Sequence, residues 1–122
     1  MILVDSSVWV AHLRTNESAL VELLNTGRVL SHPFVIGELA CGNLKNRKAV
    51  LSLLQALPAA PVATDEEALF FIDSHGLMGR GIGYVDTHLL ASVSLAGTGL
   101  LWTRDKRLNA VAGSMRLAFK TA

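Results

Sequence analysis

Met1-Ile2-Leu3-Val4-Asp5 opens the chain, and a short apolar run that stops at an acid reads as a buried strand with a carboxylate at its carboxyl end. Successive strand side chains point to opposite faces, so an all-apolar strand must be covered on both sides. Helical patterns follow, from Ser6 to about Leu13 and from about Glu17 to the stop signal Thr26-Gly27. Arg28 to Ser31 reads as a second strand. Pro33 then suits the first turn of a helix, which ends near Gly42. A further helix is expected from Arg47 to Leu57, closed by Pro58, and a brief strand at Pro61 to Ala63. Thr64-Asp65-Glu66-Glu67 has the spacing of a capping box, starting a helix that reaches about His75. A glycine-rich loop, Gly76 to Gly83, leads to a helix from Tyr84 to Ala96, a strand from Leu100 to Thr103 and a helix from Arg104 to Ala112. Met115 to Phe119 would be a closing edge strand. Short apolar strands alternating with helices predict an α/β fold: a three-layer sandwich, its central sheet mostly parallel, with helices on both faces. With no internal repeat or linker, residues 1–122 read as one domain. Ligands in such folds bind at the carboxyl ends of the strands.

Composition narrows the class of protein. The chain has 122 residues, enough for a core without disulfides or a structural metal. Its 51% hydrophobic content exceeds what one small core needs, which predicts apolar surface turned toward a partner. A lone cysteine, Cys41, excludes an internal disulfide framework and fits a reducing compartment; it reads as a small buried hydrophobe. The opening residues lack the basic leader of a signal peptide, and Asp86, His88 and Arg104 interrupt the later apolar stretches. The expectation is a cytoplasmic protein with no membrane span.

The ten acids divide unequally. Asp65, Glu66 and Glu67 occupy a first helical turn, where the helix dipole favours negative charge. Glu17, Glu22 and Asp73 fall on faces where water can solvate them. Four others are harder to place. Asp5 ends the first strand, Glu38 lies within the nearly apolar Phe34-Val35-Ile36-Gly37-Glu38-Leu39-Ala40, Asp86 starts an apolar helix, and Asp105 follows Leu100-Leu101-Trp102-Thr103. Any one of them could be a helix cap. All four on one rim would instead form a site, and it could not stay ionised unaided. Two carboxylates about 4 Å apart repel by roughly 4 kcal/mol at an effective dielectric near 20. A hard divalent cation removes that penalty, and oxygen-only ligands select Mg²⁺ or Mn²⁺. Metals so held serve phosphodiester hydrolysis. Setting those four acids aside leaves six against 11 Lys and Arg, so the remaining surface would carry about +5.

These motifs resemble those of the PIN-domain ribonucleases. Met1-Ile2-Leu3-Val4-Asp5-Ser6-Ser7-Val8-Trp9 is similar to the family's opening, and Val35-Ile36-Gly37-Glu38-Leu39 to its second acidic motif. Gly81-Ile82-Gly83-Tyr84-Val85-Asp86-Thr87-His88-Leu89-Leu90-Ala91 resembles the third, and Leu101-Trp102-Thr103-Arg104-Asp105-Lys106-Arg107-Leu108 the fourth. The likeness spans nearly the whole chain, in order, and is nearest to the VapC toxins of bacterial VapBC toxin–antitoxin pairs. It implies a Mg²⁺- or Mn²⁺-dependent endoribonuclease that cuts tRNA or rRNA and inhibits translation. It also implies a homodimer and a cognate antitoxin whose peptide lies over the active site. Asp5, Glu38, Asp86 and Asp105 would be the acidic quartet, Asp5 and Asp86 meeting metal most directly, Glu38 and Asp105 partly through water. Thr103 would orient a carboxylate or a water beside Asp105, and Ser6 would do the same beside Asp5.

Weaker signals complete the reading. Arg80, Arg104, Lys106 and Arg107 are candidate RNA contacts, while Lys45, Arg47 and Lys48 read first as a solvated basic face. His12, His32, His75 and His88 show no metal-ligand spacing and are expected to be structural. Trp9, Phe34 and Trp102 read as core, Phe70 and Phe71 as core or interface. The competing functions are a non-catalytic PIN-like module that binds RNA or protein, and a chromosomal RNA-processing nuclease. A phosphoaspartate enzyme would want a second acid where Ser7 stands.

Overall fold

Ile2, Leu3 and Val4 are each no more than 1% exposed, and because they alternate between faces both sides of this strand are covered. That strand, β1 (Ile2–Val4), is the middle of a parallel sheet ordered β2-β1-β3. The computed structural model describes residues 1–121. In chain order β1 leads to α1 (Ser6–Thr15), α2 (Ser18–Asn25), β2 (Val29–Leu30), α3 (Pro33–Cys41) and α4 (Arg47–Ala56). Then come α5 (Asp65–His75), α6 (Tyr84–Leu95), β3 (Leu100–Trp102) and α7 (Lys106–Ser114). Ile2 pairs with Val29 on one side and Leu100 on the other, and Val4 pairs with Trp102. The expected α/β sandwich is therefore present. The connections leave β1 for one flank and later return to the other, which places a crevice at the carboxyl ends of β1 and β3.

The helix ends follow local chemistry. His32 caps α3, its Nδ1 accepting from the Phe34 N–H at 3.0 Å, with Pro33 just inside the helix. Thr64 and Glu67 form the expected capping box at the start of α5. Seven consecutive residues of α6, Thr87 to Val93, are buried all round, as befits a helix through the centre of the molecule. Its Leu89 and Leu90 pack into the same core as Leu3, Leu101 and Leu108.

Four expectations require correction. Pro61 to Ala63 is not a strand; one parallel bridge forms upstream, between Ser31 and Ala59. Its partner runs out, because the chain beyond Ser31 turns at once into the cap of α3, and the Ala63 N–H is taken by Ser92 Oγ at 3.3 Å. Met115 to Phe119 likewise makes a single bridge, Ala118 to Leu101, because the close of α7 consumes Met115 to Leu117. The last helix starts at Lys106 rather than Arg104, since Asp105 is its cap. Cys41 is exposed. The buried stripe of α3 runs through Val35 and Leu39, and a residue two beyond Leu39 points the opposite way. Among the aromatics, Trp9, Trp102 and Phe71 are buried, whereas Phe70 is 74% exposed. No helix is long and apolar enough to cross a membrane among the described residues.

Candidate functional site

Asp5 leaves β1 at its carboxyl end and becomes the cap of α1, its Oδ1 accepting from the Ser6 N–H at 2.8 Å. Its Oδ2 accepts from two hydroxyls, Ser7 Oγ and Thr103 Oγ1, each at 2.8 Å. A carboxylate offers about four lone-pair positions. Three are occupied at short range, and the Ser6 hydroxyl approaches Oδ1 only at 3.5 Å. Asp5 is 6% exposed, so this neat saturation holds a nearly buried carboxylate in one orientation.

The same hydroxyls knit the ends of β1 and β3 together. Ser7 Oγ accepts from the Arg104 N–H at 3.0 Å, and Thr103 Oγ1 accepts from the Asp105 N–H at 3.1 Å. Thr103 thus orients the carboxylate of Asp5, not that of Asp105. Ser7 was absent from the expected site; its only sequence signal was a hydroxyl residue two positions beyond a strand-ending acid.

Asp105 is a helix cap, its Oδ1 accepting from the Leu108 N–H at 2.9 Å. Asp86 stands in the first turn of α6, its Oδ2 turned back to the Gly83 N–H at 3.4 Å. Capping explains the local bonds of Asp5, Asp86 and Asp105, but not why they share a rim. Glu38 has no such role. It is exposed, in the middle of α3, and no cation lies within 4.0 Å of it among the described residues. Its carboxyl holds its proton above the ordinary Glu range, through desolvation first and then the charges of Asp5 and Asp86, with the Ser6 side chain pulling the other way. Asp86 is raised likewise by desolvation, opposed by the Gly83 hydrogen bond and reinforced by Asp5 and Asp105.

The four acids are therefore electrostatic neighbours. They do not form a closed cage: no three acids, histidines or cysteines among the described residues converge at metal-binding distance. The donor set itself is all oxygen, with mutual repulsion that a hard dication relieves, so Mg²⁺ or Mn²⁺ suits these residues chemically. A groove of about 780 Å³ opens beside the site and reaches Glu38 but none of the other three acids. Its floor is aliphatic, from Val10, Leu13, Leu39 and Leu44, and its rim carries Arg14 and Lys45.

Residues 2–114 match the sequence profile of the PIN domain. The chain belongs to the PIN-domain family. As a PIN domain it is also 50% identical, over 118 residues, to the protein named Ribonuclease VapC32 in two strains of Mycobacterium tuberculosis, CDC 1551 / Oshkosh and H37Rv. The matched stretch covers 97% of this chain and 95% of the relative, so this PIN domain sits with the VapC ribonucleases at essentially full length.

The remaining candidates lie on the chain segments that carry Asp86 and Asp105. Arg104, Lys106 and Arg107 are exposed at the start of α7, and Arg80 is exposed in the loop before α6. Two of the four histidines are tied into the interior more closely than spacing suggests. His88 is 1% exposed, and its Nε2 lies 3.0 Å from Asp65 Oδ1, which also accepts from the Tyr84 hydroxyl at 2.9 Å. His32 is fully buried, with Nε2 3.1 Å from Ser92 Oγ. Because its Nδ1 accepts the Phe34 N–H, Nε2 must carry the proton and donate. Burial first and His88 second lower the His32 pKa to about 4.

Proposed function

We propose that this chain is the toxin of a VapBC-type toxin–antitoxin pair, an endoribonuclease that cuts tRNA or rRNA and so inhibits translation. Membership of the VapC ribonucleases supports the class of reaction, and Glu38 supports the place. A carboxylate that feels the charges of both Asp5 and Asp86, with no cation within 4.0 Å of it among the described residues, is suited to holding a metal cation. In this reading Asp5, Glu38, Asp86 and Asp105 hold Mg²⁺ or Mn²⁺, Asp5 and Asp86 most directly. The cation supplies positive charge that acidifies a water and steadies charge on the phosphate under attack.

The protein's own groups then have distinct tasks. Ser7 and Thr103 fix the plane of the Asp5 carboxylate, so that it need not reorganise as charge develops. The Ser6 side chain favours the ionised form of Glu38, the form that binds a cation. Arg80, Arg104, Lys106 and Arg107 contact phosphates along the RNA without reading its sequence. The aliphatic groove beside Glu38, with Arg14 and Lys45 on its rim, suits a peptide of the cognate antitoxin. Exposed Leu69, Phe70 and Leu95 offer apolar surface for a homodimer. The whole assembly would operate in the cytoplasm, where its RNA is.

The test is cleavage of a total small-RNA pool by purified protein, with Mg²⁺ or Mn²⁺, with EDTA, and with Asp86→Asn. Discrete fragments that need the metal and vanish in the variant are expected. Equal cleavage by wild type and Asp86→Asn would remove the acidic rim from the reaction.

A further inference from the structure

Gly81 lies in the loop before α6 with φ +81°, and the space where its side chain would stand is filled from elsewhere in the chain. A Cβ at this position would meet Arg107 Cδ at 2.9 Å, Nη1 at 3.0 Å and Nε at 3.4 Å. The end of the Arg107 side chain is thus laid across the bare α-carbon of Gly81. Arg107 belongs to the first turn of α7, two residues beyond Asp105, whereas Gly81 is five residues before Asp86. The contact joins the two elements that carry those acids, and Asp105 is close enough to Asp86 to raise its pKa. Yet the guanidinium is spent on neither acid. Among the described residues the one basic and acidic side-chain pair within 4.0 Å is His88 with Asp65, so no carboxylate lies against Arg107.

An exposed arginine without an anionic partner ordinarily samples many rotamers, and holding it in one costs entropy at the moment of binding. The glycine seat reduces that cost beforehand. We propose that Gly81 seats Arg107 as a preoriented fork for an RNA phosphate adjacent to the one being cut, which makes Gly81 a positioning residue for substrate. The inference rests on the ribonuclease reading and assigns one subsite within it. A planar guanidinium can take a phosphate by two parallel hydrogen bonds, which a freely moving ammonium cannot match. Such a contact exists before and during cleavage alike, so it acts on KM and leaves kcat nearly unchanged.

Gly79 provides the control. It has a similar backbone, φ +73°, but open space where a Cβ would stand. Gly79→Ala therefore imposes comparable backbone strain without disturbing Arg107. The experiment compares wild type, Gly79→Ala, Gly81→Ala, Arg107→Gln, Arg107→Lys and the Gly81→Ala/Arg107→Gln pair. Cleavage of a fluorescently labelled mixed-sequence RNA 20-mer is measured in Mg²⁺ across a range of salt, and thermal melting of each variant is recorded alongside.

Arg107→Gln is expected to raise KM roughly tenfold, with kcat within about twofold of wild type. The dependence of log affinity on log salt should lose about 0.7 in slope, the value of one single-strand phosphate contact. Arg107→Lys should restore that slope but only part of the affinity. Gly81→Ala should raise KM to a similar degree and add little in the double variant, while Gly79→Ala melts like Gly81→Ala and cleaves like wild type. Wild-type KM and salt slope in Arg107→Gln would overturn the subsite while leaving the nuclease intact. Wild-type KM in Gly81→Ala, or an equal rise in Gly79→Ala, would overturn the seat. Failure of the wild type to cut any RNA would remove the ribonuclease reading and this subsite together.

Discussion

Ser7 and Thr103 each donate a hydroxyl to one oxygen of Asp5, and that convergence makes Asp5 the best-held acid on the rim. Removing either donor without changing volume much, by Ser7→Ala or Thr103→Val, should let the carboxylate rotate. Supporting shells of this kind typically account for about ten- to a hundredfold in metal affinity or activity. Cleavage titrated against Mg²⁺ should therefore need more metal in both variants, and an unchanged titration would dismiss the clamp. Glu38 calls for the opposite experiment. Its pKa is raised in the fold, so the folded protein keeps a proton there that the unfolded chain gives up. Stability at this position is consequently present at low pH and lost as pH rises through the raised pKa. Glu38→Gln should melt higher than wild type at pH 7 in EDTA, with the gain disappearing in acid. Added Mg²⁺ should raise the melting temperature of wild type more than that of the variant. Identical melting at pH 7 would show that no repulsion is stored there. Asp5 and Thr103 were both legible from strand ends, but their partnership was not: 98 positions separate them, and periodicity carries no information across such a distance.

Helices α5 and α6 pack together, and Asp65 ties their first turns through His88 and Tyr84. From sequence, Asp65 needed nothing more than a helix dipole, because a first-turn acid is already explained locally. The tertiary bond became visible only once α6 lay across α5. Asp65→Ala leaves His88, whose Nδ1 already lacks a partner, with no hydrogen bond at either ring nitrogen. Stranding a buried polar group costs about 1–3 kcal/mol, which for a domain of this size lowers Tm by several degrees. Tyr84→Phe deletes an exposed hydroxyl and should cost less than about 1 kcal/mol. Thermal melts of both variants give the comparison, and equal Tm losses would refute the assignment of the bond to His88. The strand expectations failed at this scale too. Pro61 to Ala63 and Met115 to Phe119 have strand-like composition, yet the first makes no bridge and the second only one, because the neighbouring chain turns away into a cap or a helix end. Strand character depends on a partner's length, and the segment's own residues do not record it.

Taken whole, the molecule buries an uncharged His32 beneath α6, and that sets its behaviour in acid. With a folded pKa of about 4 against the usual 6.5, the unfolded chain binds a proton here between those values while the folded one refuses it. This contribution is complete above about pH 6.5 and is lost as pH falls toward 4, at up to about 1.4 kcal/mol per pH unit. His88 faces His32 and deepens the effect, and Asp65 anchors His88 from the other side. Urea unfolding at pH 7 and pH 5 should show a lower midpoint at pH 5, and coincident midpoints would count against it. The overall architecture was the most legible feature, because an all-apolar β1 admits one location only. That location has a further consequence. The strand made first is the centre of the sheet, and one of its flanks, β3, is made almost last. A chain emerging residue by residue cannot orient Asp5 until Thr103 arrives, nor bring Asp105 to the rim. The rim is therefore among the last features that folding can complete, because its clamp and its fourth acid follow β3 in the order of synthesis.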